Sequence, residues 1–295
     1  MNTRKLQATG GSSLSLIIPK NWVKKNKLEN KTQVFVQETR SGELRVKPLG
    51  VLEKTEKSIE VGKNDLENSK RKILSAYVGG FGDLNLKWAD ASKKERAELT
   101  DLVKSLMGWE IEQEDEENLV ATYVLDYGKM PAAKVLQRIF DISIEVSQKA
   151  DLKLKNEDNG AKKEIAKKTA EAEKLGLLMA RIFRGVMNGK IDEKSVNLDF
   201  EQLFYYYETS KCLVSICKKT KAATSADDFG DYSASDFLDW SELLKKIMKV
   251  AMGDDSKFKE ITDAYDKMTH HYENYYLDDV DSSIGEIIEI YNCNN

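Results

Sequence analysis

Lysine and arginine side chains are concentrated at the start of the chain, where they could bind phosphate groups. Residues 1–50 contain ten Lys or Arg against three acids, a net charge of +7, whereas the whole chain of 295 residues has a net charge of −4. The other 245 residues therefore carry −11. A basic segment on an otherwise acidic chain indicates that this segment alone meets a polyanion. Charge alone leaves a second interpretation open, a solvated basic surface without a partner.

The elements that carry these cations are short. Strand-like stretches are predicted at residues 13–18, 33–37 and 42–48, and the last two are joined by turn residues into a hairpin. Between the first two lies one short helix, residues 19–28, which starts at a proline. Because fifty residues of this kind bury too little surface to be stable alone, we expect an obligate dimer.

Glycine and proline usage divides the rest of the chain near residues 50 and 129. The pattern of apolar residues in 51–128 predicts a small α/β domain. Its helices are expected near 65–79 and 93–106, and its strands at 83–87, 109–112 and 118–125. The glycines Gly79, Gly80 and Gly82 fall between a helix and a strand. A phosphate-binding loop needs the opposite order, so we expect a turn.

From residue 129 onward the hydrophobic pattern is helical. Helices are predicted at 132–154, 161–187 and 200–219, followed by a polar, loop-like stretch, 222–232, and by helices at 235–252, 257–275 and 282–291. The expected fold is therefore multidomain α+β. It has a small β-rich head (1–50), a small α/β middle domain (51–128) and a mostly α body (129–295). The body would form two three-helix units, about 130–222 and 233–292.

The composition also bears on location and reactivity. No run of about eighteen apolar residues and no N-terminal apolar signal is present, so we expect a cytoplasmic chain without membrane insertion. The three cysteines, Cys212, Cys217 and Cys293, form no C-x-x-C pair and are expected to be reduced thiols. No catalytic signature surrounds the only histidines, His270 and His271, so an enzyme is not expected.

The order of motifs in the head resembles a known family. An Arg4-Lys5 pair is followed by Gly10-Gly11, an apolar strand that ends in Ile18-Pro19, a short basic helix and a hairpin. This order is similar to the SpoVT/AbrB family of swapped-hairpin DNA-binding domains. The body resembles the PhoU family, whose fold is a pair of three-helix bundles. An AbrB-like head on a PhoU-like body is an arrangement associated with archaeal phosphate-uptake regulators.

The resemblance implies a homodimer whose hairpins interleave and whose basic residues face double-stranded DNA. By motif position it implies Arg4, Lys5 and Lys24 as DNA-binding residues, and charge and proximity add Lys20 and Lys25. Arg4 is the better candidate for reading a base edge, because its planar guanidinium can address guanine. The function that follows is a DNA-binding transcriptional regulator of phosphate uptake and homeostasis. The alternative is an adaptor that binds a phosphate transporter or sensor kinase, with a head that only dimerises.

The PhoU resemblance also implies an iron or zinc site formed by Glu/Asp-x-x-x-Asp motifs on the bundle helices. The chain departs from this pattern, because Cys212 stands where the motif that begins at Glu208 has its distal Asp. The candidates for a metal site are Asp263, Asp266 and His270, which lie along one predicted helix at spacings of three and four. A solvated surface is the alternative interpretation of these residues. A metal-storing or metal-sensing protein is the third hypothesis for the function.

Overall fold

The structure is a computed structural model. It describes residues 3–9, 13–26, 28–38, 44–48, 56–127, 129–155, 160–191, 193–196, 198–226, 234–252 and 287. The chain divides into two compact units, Met1–Lys54 and Thr55–Asn295. We call the first unit the head and the second unit the body.

The head consists of two short antiparallel strand pairs and one helix. Strand β1 (Gln7–Ala8) pairs with β2 (Leu14–Ser15), and β3 (Val34–Glu38) pairs with β4 (Leu44–Pro48). Helix α1 (Lys20–Lys25) lies between the two pairs in sequence. The prediction of a small β-rich head with one short helix is confirmed.

The body begins with a four-stranded sheet and two helices. Its strands follow the order β5-β6-β8-β7, with β5 parallel to β6 and the other pairs antiparallel. The elements are β5 (Glu56–Val61), α2 (Leu66–Val78), β6 (Asp83–Trp88), α3 (Lys93–Ser105), β7 (Trp109–Glu114) and β8 (Asn118–Tyr123). The sequence pattern predicts all of these except the edge strand β5. Only Ile59 and Val61 of that strand are buried, too few for a clear alternation.

The long helices follow. They are α4 (Ala132–Leu154), α5 (Ala161–Met187), the single turn α6 (Glu193–Val196), α7 (Phe200–Ala226) and α8 (Ala234–Ala251). Helix α4 packs against α5, α7 and α8, and these four helices share one apolar core. No helix among the described residues is long and apolar enough to cross a membrane.

Two sequence predictions for this region have different outcomes. Helix α7 continues past residue 219 into the stretch predicted as a loop, because the polar residues there are accommodated within the helix. The buried Thr220 and Thr224 hydroxyls donate to the carbonyls of Ile216 and Thr220. The second three-helix unit stays a prediction. The helix predicted at 235–252 is α8, which shares the core of α4, α5 and α7. The predicted helices 257–275 and 282–291 lie outside the described residues apart from residue 287.

The sheet and the helical bundle belong to one compact unit, so residue 129, where the composition predicts a boundary, lies inside it. Helix α2 packs on α5, and the buried Arg181 of α5 binds groups on the sheet side. Its guanidinium donates to the carbonyls of Tyr77 (2.7 Å) and Phe81 (2.8 Å) and to the Tyr127 hydroxyl (3.0 Å). It also lies 3.7 Å from the centre of the Tyr123 ring. Arg181 thus connects the helical bundle to the sheet and its helices, and all of its hydrogen-bond acceptors there are neutral.

A glycine before β7 is required by both conformation and space. Gly108 has φ +89°, and a Cβ placed there would lie 2.6 Å from the Tyr123 ring. We expect Gly108→Ala to lower the free energy of unfolding by about 2 kcal/mol, because it adds backbone strain to an overlap with the half-buried Tyr123 ring. The measurement is the urea midpoint followed by far-UV circular dichroism.

The matched control is Gly62→Ala, since a Cβ at Gly62 meets no atom within 4 Å. This variant should unfold within about 0.5 kcal/mol of the parent protein. Equal midpoints for the two variants would contradict the assigned backbone conformation at Gly108.

Candidate nucleic-acid interface

Helix α1 presents two of the predicted DNA-binding residues on one face. Lys20 and Lys24 are four residues apart, so they lie one turn from each other, and both side chains are exposed. Pro19 precedes the helix with φ −59°, which suits a helix start, and the first turn contains no acidic residue. Lys25 lies in the same helix, but its side chain is outside the described part of the chain. The result is an exposed cationic helix face.

The other side of α1 is held by packing and by its C-terminal cap. Trp22 and Val23 are half-buried. The Asn26 side-chain nitrogen donates to the Trp22 carbonyl at 2.8 Å, and the Asn26 backbone N–H donates to the same oxygen at 3.0 Å. Because these contacts fix the helix end, they orient the lysines on its exposed face.

Arg4 and Lys5 lie just before β1, and both are exposed. Within the part of the head that the structure describes, no carboxylate forms an ion pair with Arg4, Lys5, Lys20 or Lys24. These cations can therefore meet an external anion without first breaking a salt bridge. Their assignment as the DNA-contacting residues stays a prediction.

The same unit exposes large apolar side chains. Six of them, 51–67% exposed in the single chain, are Leu6, Leu14, Leu16, Ile17, Val36 and Leu44. A contiguous domain of this size does not normally leave so many aliphatic side chains in water, and such exposure marks a protein interface. Exposure of this kind is what a domain that dimerises through its apolar side chains would show.

Four glutamates of the bundle helices, where the family would place metal ligands, are engaged in ion pairs. Interhelical bridges join Glu145 to Lys168 (2.7 Å), Glu171 to Arg138 (2.7 Å) and Glu173 to Lys218 (3.1 Å). Glu208, at the start of the degenerate motif, pairs with Lys211 at 2.8 Å. Where the structure describes the chain, no group of three His, Cys, Asp or Glu could hold a metal ion. The candidates Asp263, Asp266 and His270 lie outside the described residues.

The two cysteines of α7 are buried thiols. Burial raises the pKa of Cys217 to about 11, and its sulfur lies 3.3 Å from the Ser143 hydroxyl. A thiol with such a pKa is neutral at physiological pH, so it is a poor nucleophile and a poor metal ligand. Cys212, where the resemblance would place an acid, is 6% exposed and contributes to the apolar core.

Sequence reasoning did not single out a group of cations in the body. Arg181, Lys57 and Lys190 all contact Phe81, although they lie on different elements. No local motif connects residues that are so far apart in sequence, so no sequence signal could have found this group.

Comparison with known proteins gives one match, and it falls on the head. Residues 7–53 match the family described as antidote-toxin recognition MazE, bacterial antitoxin. No curated protein and no solved structure matches the chain. The comparisons do not support the resemblance of residues 129–295 to the PhoU family or an archaeal source. The family match spans less than half of the chain. It supports a head of the MazE/AbrB-like swapped-hairpin class, whose members dimerise and bind DNA.

Proposed function

We propose that this protein is a homodimeric, DNA-binding regulator of transcription whose head contacts DNA and whose body carries the regulatory part. The observation that carries the proposal is that the family match and the exposed lysines fall on the same segment. The family match at residues 7–53 covers α1, the helix that exposes Lys20 and Lys24. The domain class and the exposed cations of this helix therefore point to the same ligand.

Electrostatics supports the head as the DNA-binding part. It carries a net charge of +7, and the rest of the chain carries −11. Each lysine that neutralises a DNA phosphate releases condensed counterions, which favours binding. The acidic body is repelled by DNA, so it favours complexes in which only the head touches the duplex.

The exposed apolar residues of the head support a homodimer. We expect Leu14→Asp, at a position that is 62% exposed in the single chain, to shift the protein toward the monomer, since two carboxylates would enter the shared core. Sedimentation velocity should give twice the 33.5 kDa chain mass for the parent and a smaller mass for the variant.

Leu238→Asp is the matched control. Leu238 lies on helix α8 of the body and is 39% exposed. This variant should keep the parent mass. A parent protein that sediments as a monomer would contradict the dimer.

We further propose that the regulated process is phosphate uptake and homeostasis. This step rests on the resemblance of residues 129–295 to the PhoU family. The family match of the head favours a second candidate, an antitoxin-type regulator that binds a toxin protein as well as DNA. Measuring transcription of the chromosomal neighbours under phosphate limitation distinguishes the two, because only the first candidate predicts a response that depends on this protein.

The experiment that tests the proposed function is fluorescence anisotropy of the full-length protein. It uses a duplex from the protein's own upstream region and a scrambled duplex of equal length. A regulator should bind the first duplex at least about 1,000-fold more tightly at physiological salt. Absence of binding to either duplex would reduce the head to a dimerisation element and would favour an adaptor that acts through a phosphate transporter or sensor kinase.

A further inference from the structure

Three cations of the body converge on one aromatic residue. The Lys190 ammonium lies 3.3 Å from the centre of the Phe81 ring, and the Lys57 ammonium lies 5.8 Å from the same centre. The Arg181 guanidinium donates to the Phe81 carbonyl at 2.8 Å. Phe81 itself is half-buried in the turn between α2 and β6. The convergence lies within one compact unit, where the sheet meets the end of α5.

The backbone holds Lys190 firmly at this position. Lys190 follows the end of α5, and its N–H and that of Ile191 both donate to the Gly185 carbonyl, at 2.8 and 3.0 Å. The Lys190 side chain runs beside Gly80, where a Cβ would lie 3.7 Å from Lys190 Cβ and Cδ. The local fold therefore positions the Lys190 side chain.

The register of β5 determines which face of the sheet carries Lys57. Lys57 shares a face of β5 with the buried Ile59 and Val61, because side chains two residues apart point the same way. The nearby acids Glu56 and Asp83 are register partners of each other, and Lys57 is the partner of Leu84. Since facing partners point to the same side of a sheet, the two acids lie on the opposite face from Lys57.

The charge of this group is not compensated within the described residues. No carboxylate there forms an ion pair with Lys57, Arg181 or Lys190. Burial lowers the pKa of Lys190, and the like charges of Arg181 and Lys57 lower it further. The aromatic ring and the carbonyl acceptors are neutral partners, so the positive charge of the group is left for an anion.

We propose that Lys57 and Lys190 form a binding site for a small anion with several negative charges, of the phosphate or phosphate-ester class, beside Phe81. Lysine ammonium groups bind phosphate as point charges, and the buried Arg181 adds to the positive potential without contacting the ligand. A small anion is favoured over DNA because the rest of the chain, outside the head, carries −11, which repels a long polyanion. The site does not depend on DNA binding by the head.

Isothermal titration calorimetry of the full chain tests this assignment, with inorganic phosphate and pyrophosphate as probes at constant ionic strength. We expect saturable binding of one pyrophosphate per chain, with weaker binding of phosphate. Lys57→Gln and Lys190→Gln should each weaken pyrophosphate binding by about tenfold or more, since each removes one charge-assisted contact.

Two controls isolate the site. Lys87→Gln removes one exposed lysine from the same sheet and should bind pyrophosphate like the parent protein. Lys24→Glu, in the head, should also keep pyrophosphate binding, so loss of DNA binding and loss of the anion site are separable.

Three outcomes would overturn the proposal. In the first, neither probe binds saturably. In the second, the parent and both lysine variants bind pyrophosphate equally. In the third, titration with potassium chloride at matched ionic strength gives the same heat as the probe. Because Lys57 is exposed, Lys57→Gln remains decisive even if Lys190→Gln fails to fold. Weakened binding of duplex DNA in Lys57→Gln, without a change in pyrophosphate binding, would instead assign the surface to DNA.

Discussion

Lys24→Glu is expected to weaken binding of the full-length protein to its upstream duplex by about 100-fold. In a dimer the substitution removes two phosphate contacts and places two negative charges beside the DNA backbone. Lys24 is exposed and has no ion-pair partner among the described residues, so its reversal should leave the head folded. Fluorescence anisotropy measures the change in affinity, and circular dichroism checks the fold.

The control for net charge is Lys94→Glu. Lys94 is exposed near the start of α3 in the body, where a glutamate suits the helix N-terminus. This variant makes the same change in chain charge, yet it should bind the duplex within about threefold of the parent, because Lys94 belongs to the body and not to the unit that is proposed to contact DNA. If both variants lost affinity equally, binding would depend on overall charge and not on α1.

Arg181→Leu should lower the free energy of unfolding of the body by about 3 kcal/mol. The substitution leaves the Tyr77 and Phe81 carbonyls and the Tyr127 hydroxyl without their donor, inside a site where Arg181 is only 2% exposed. Removal of the buried charge offsets part of this loss. The urea midpoint by far-UV circular dichroism reports on the body, because its long helices dominate that signal.

Two companion variants separate charge from geometry at Arg181. Arg184→Leu removes an exposed arginine from the same helix and should change stability by less than about 0.5 kcal/mol. Arg181→Lys keeps the charge, but one ammonium cannot reach all three acceptors. Its free energy of unfolding should therefore lie between those of Arg181→Leu and the parent. A fully stable Arg181→Leu would show that the helical bundle and the sheet do not depend on this contact.

The sequence predicts much of the body because its helices have wide, regular apolar stripes. The predicted bounds of α4 and α5 coincide with those observed. The end of α7 is missed because the prediction depends on the spacing of apolar residues. That spacing cannot show that the polar Thr220 and Thr224 are buried and hydrogen-bonded to the preceding turn. Edge strand β5 is missed because only part of it is buried.

The candidate sites differ in how far the sequence reveals them. The basic head is apparent from charge counting, and exposure of Lys20 and Lys24 follows from their positions on a short helix. The group around Phe81 is different, because its residues come from β5, from the turn after α2 and from the end of α5. Only tertiary packing brings them together, so neither Arg181 nor Lys190 stands out in the sequence.

The salt dependence of DNA affinity tests the central claim, that the basic head binds DNA, most directly. The dissociation constant for the upstream duplex is measured at several salt concentrations for the parent protein and for Lys24→Gln. If Lys20, Lys24 and Lys25 of both protomers contact phosphates, the logarithm of the association constant, the reciprocal of the dissociation constant, should fall with log salt with a slope of about −5. Lys24→Gln should reduce the magnitude of this slope by about 2. A slope near zero, or one that Lys24→Gln leaves unchanged, would contradict DNA binding by this helix.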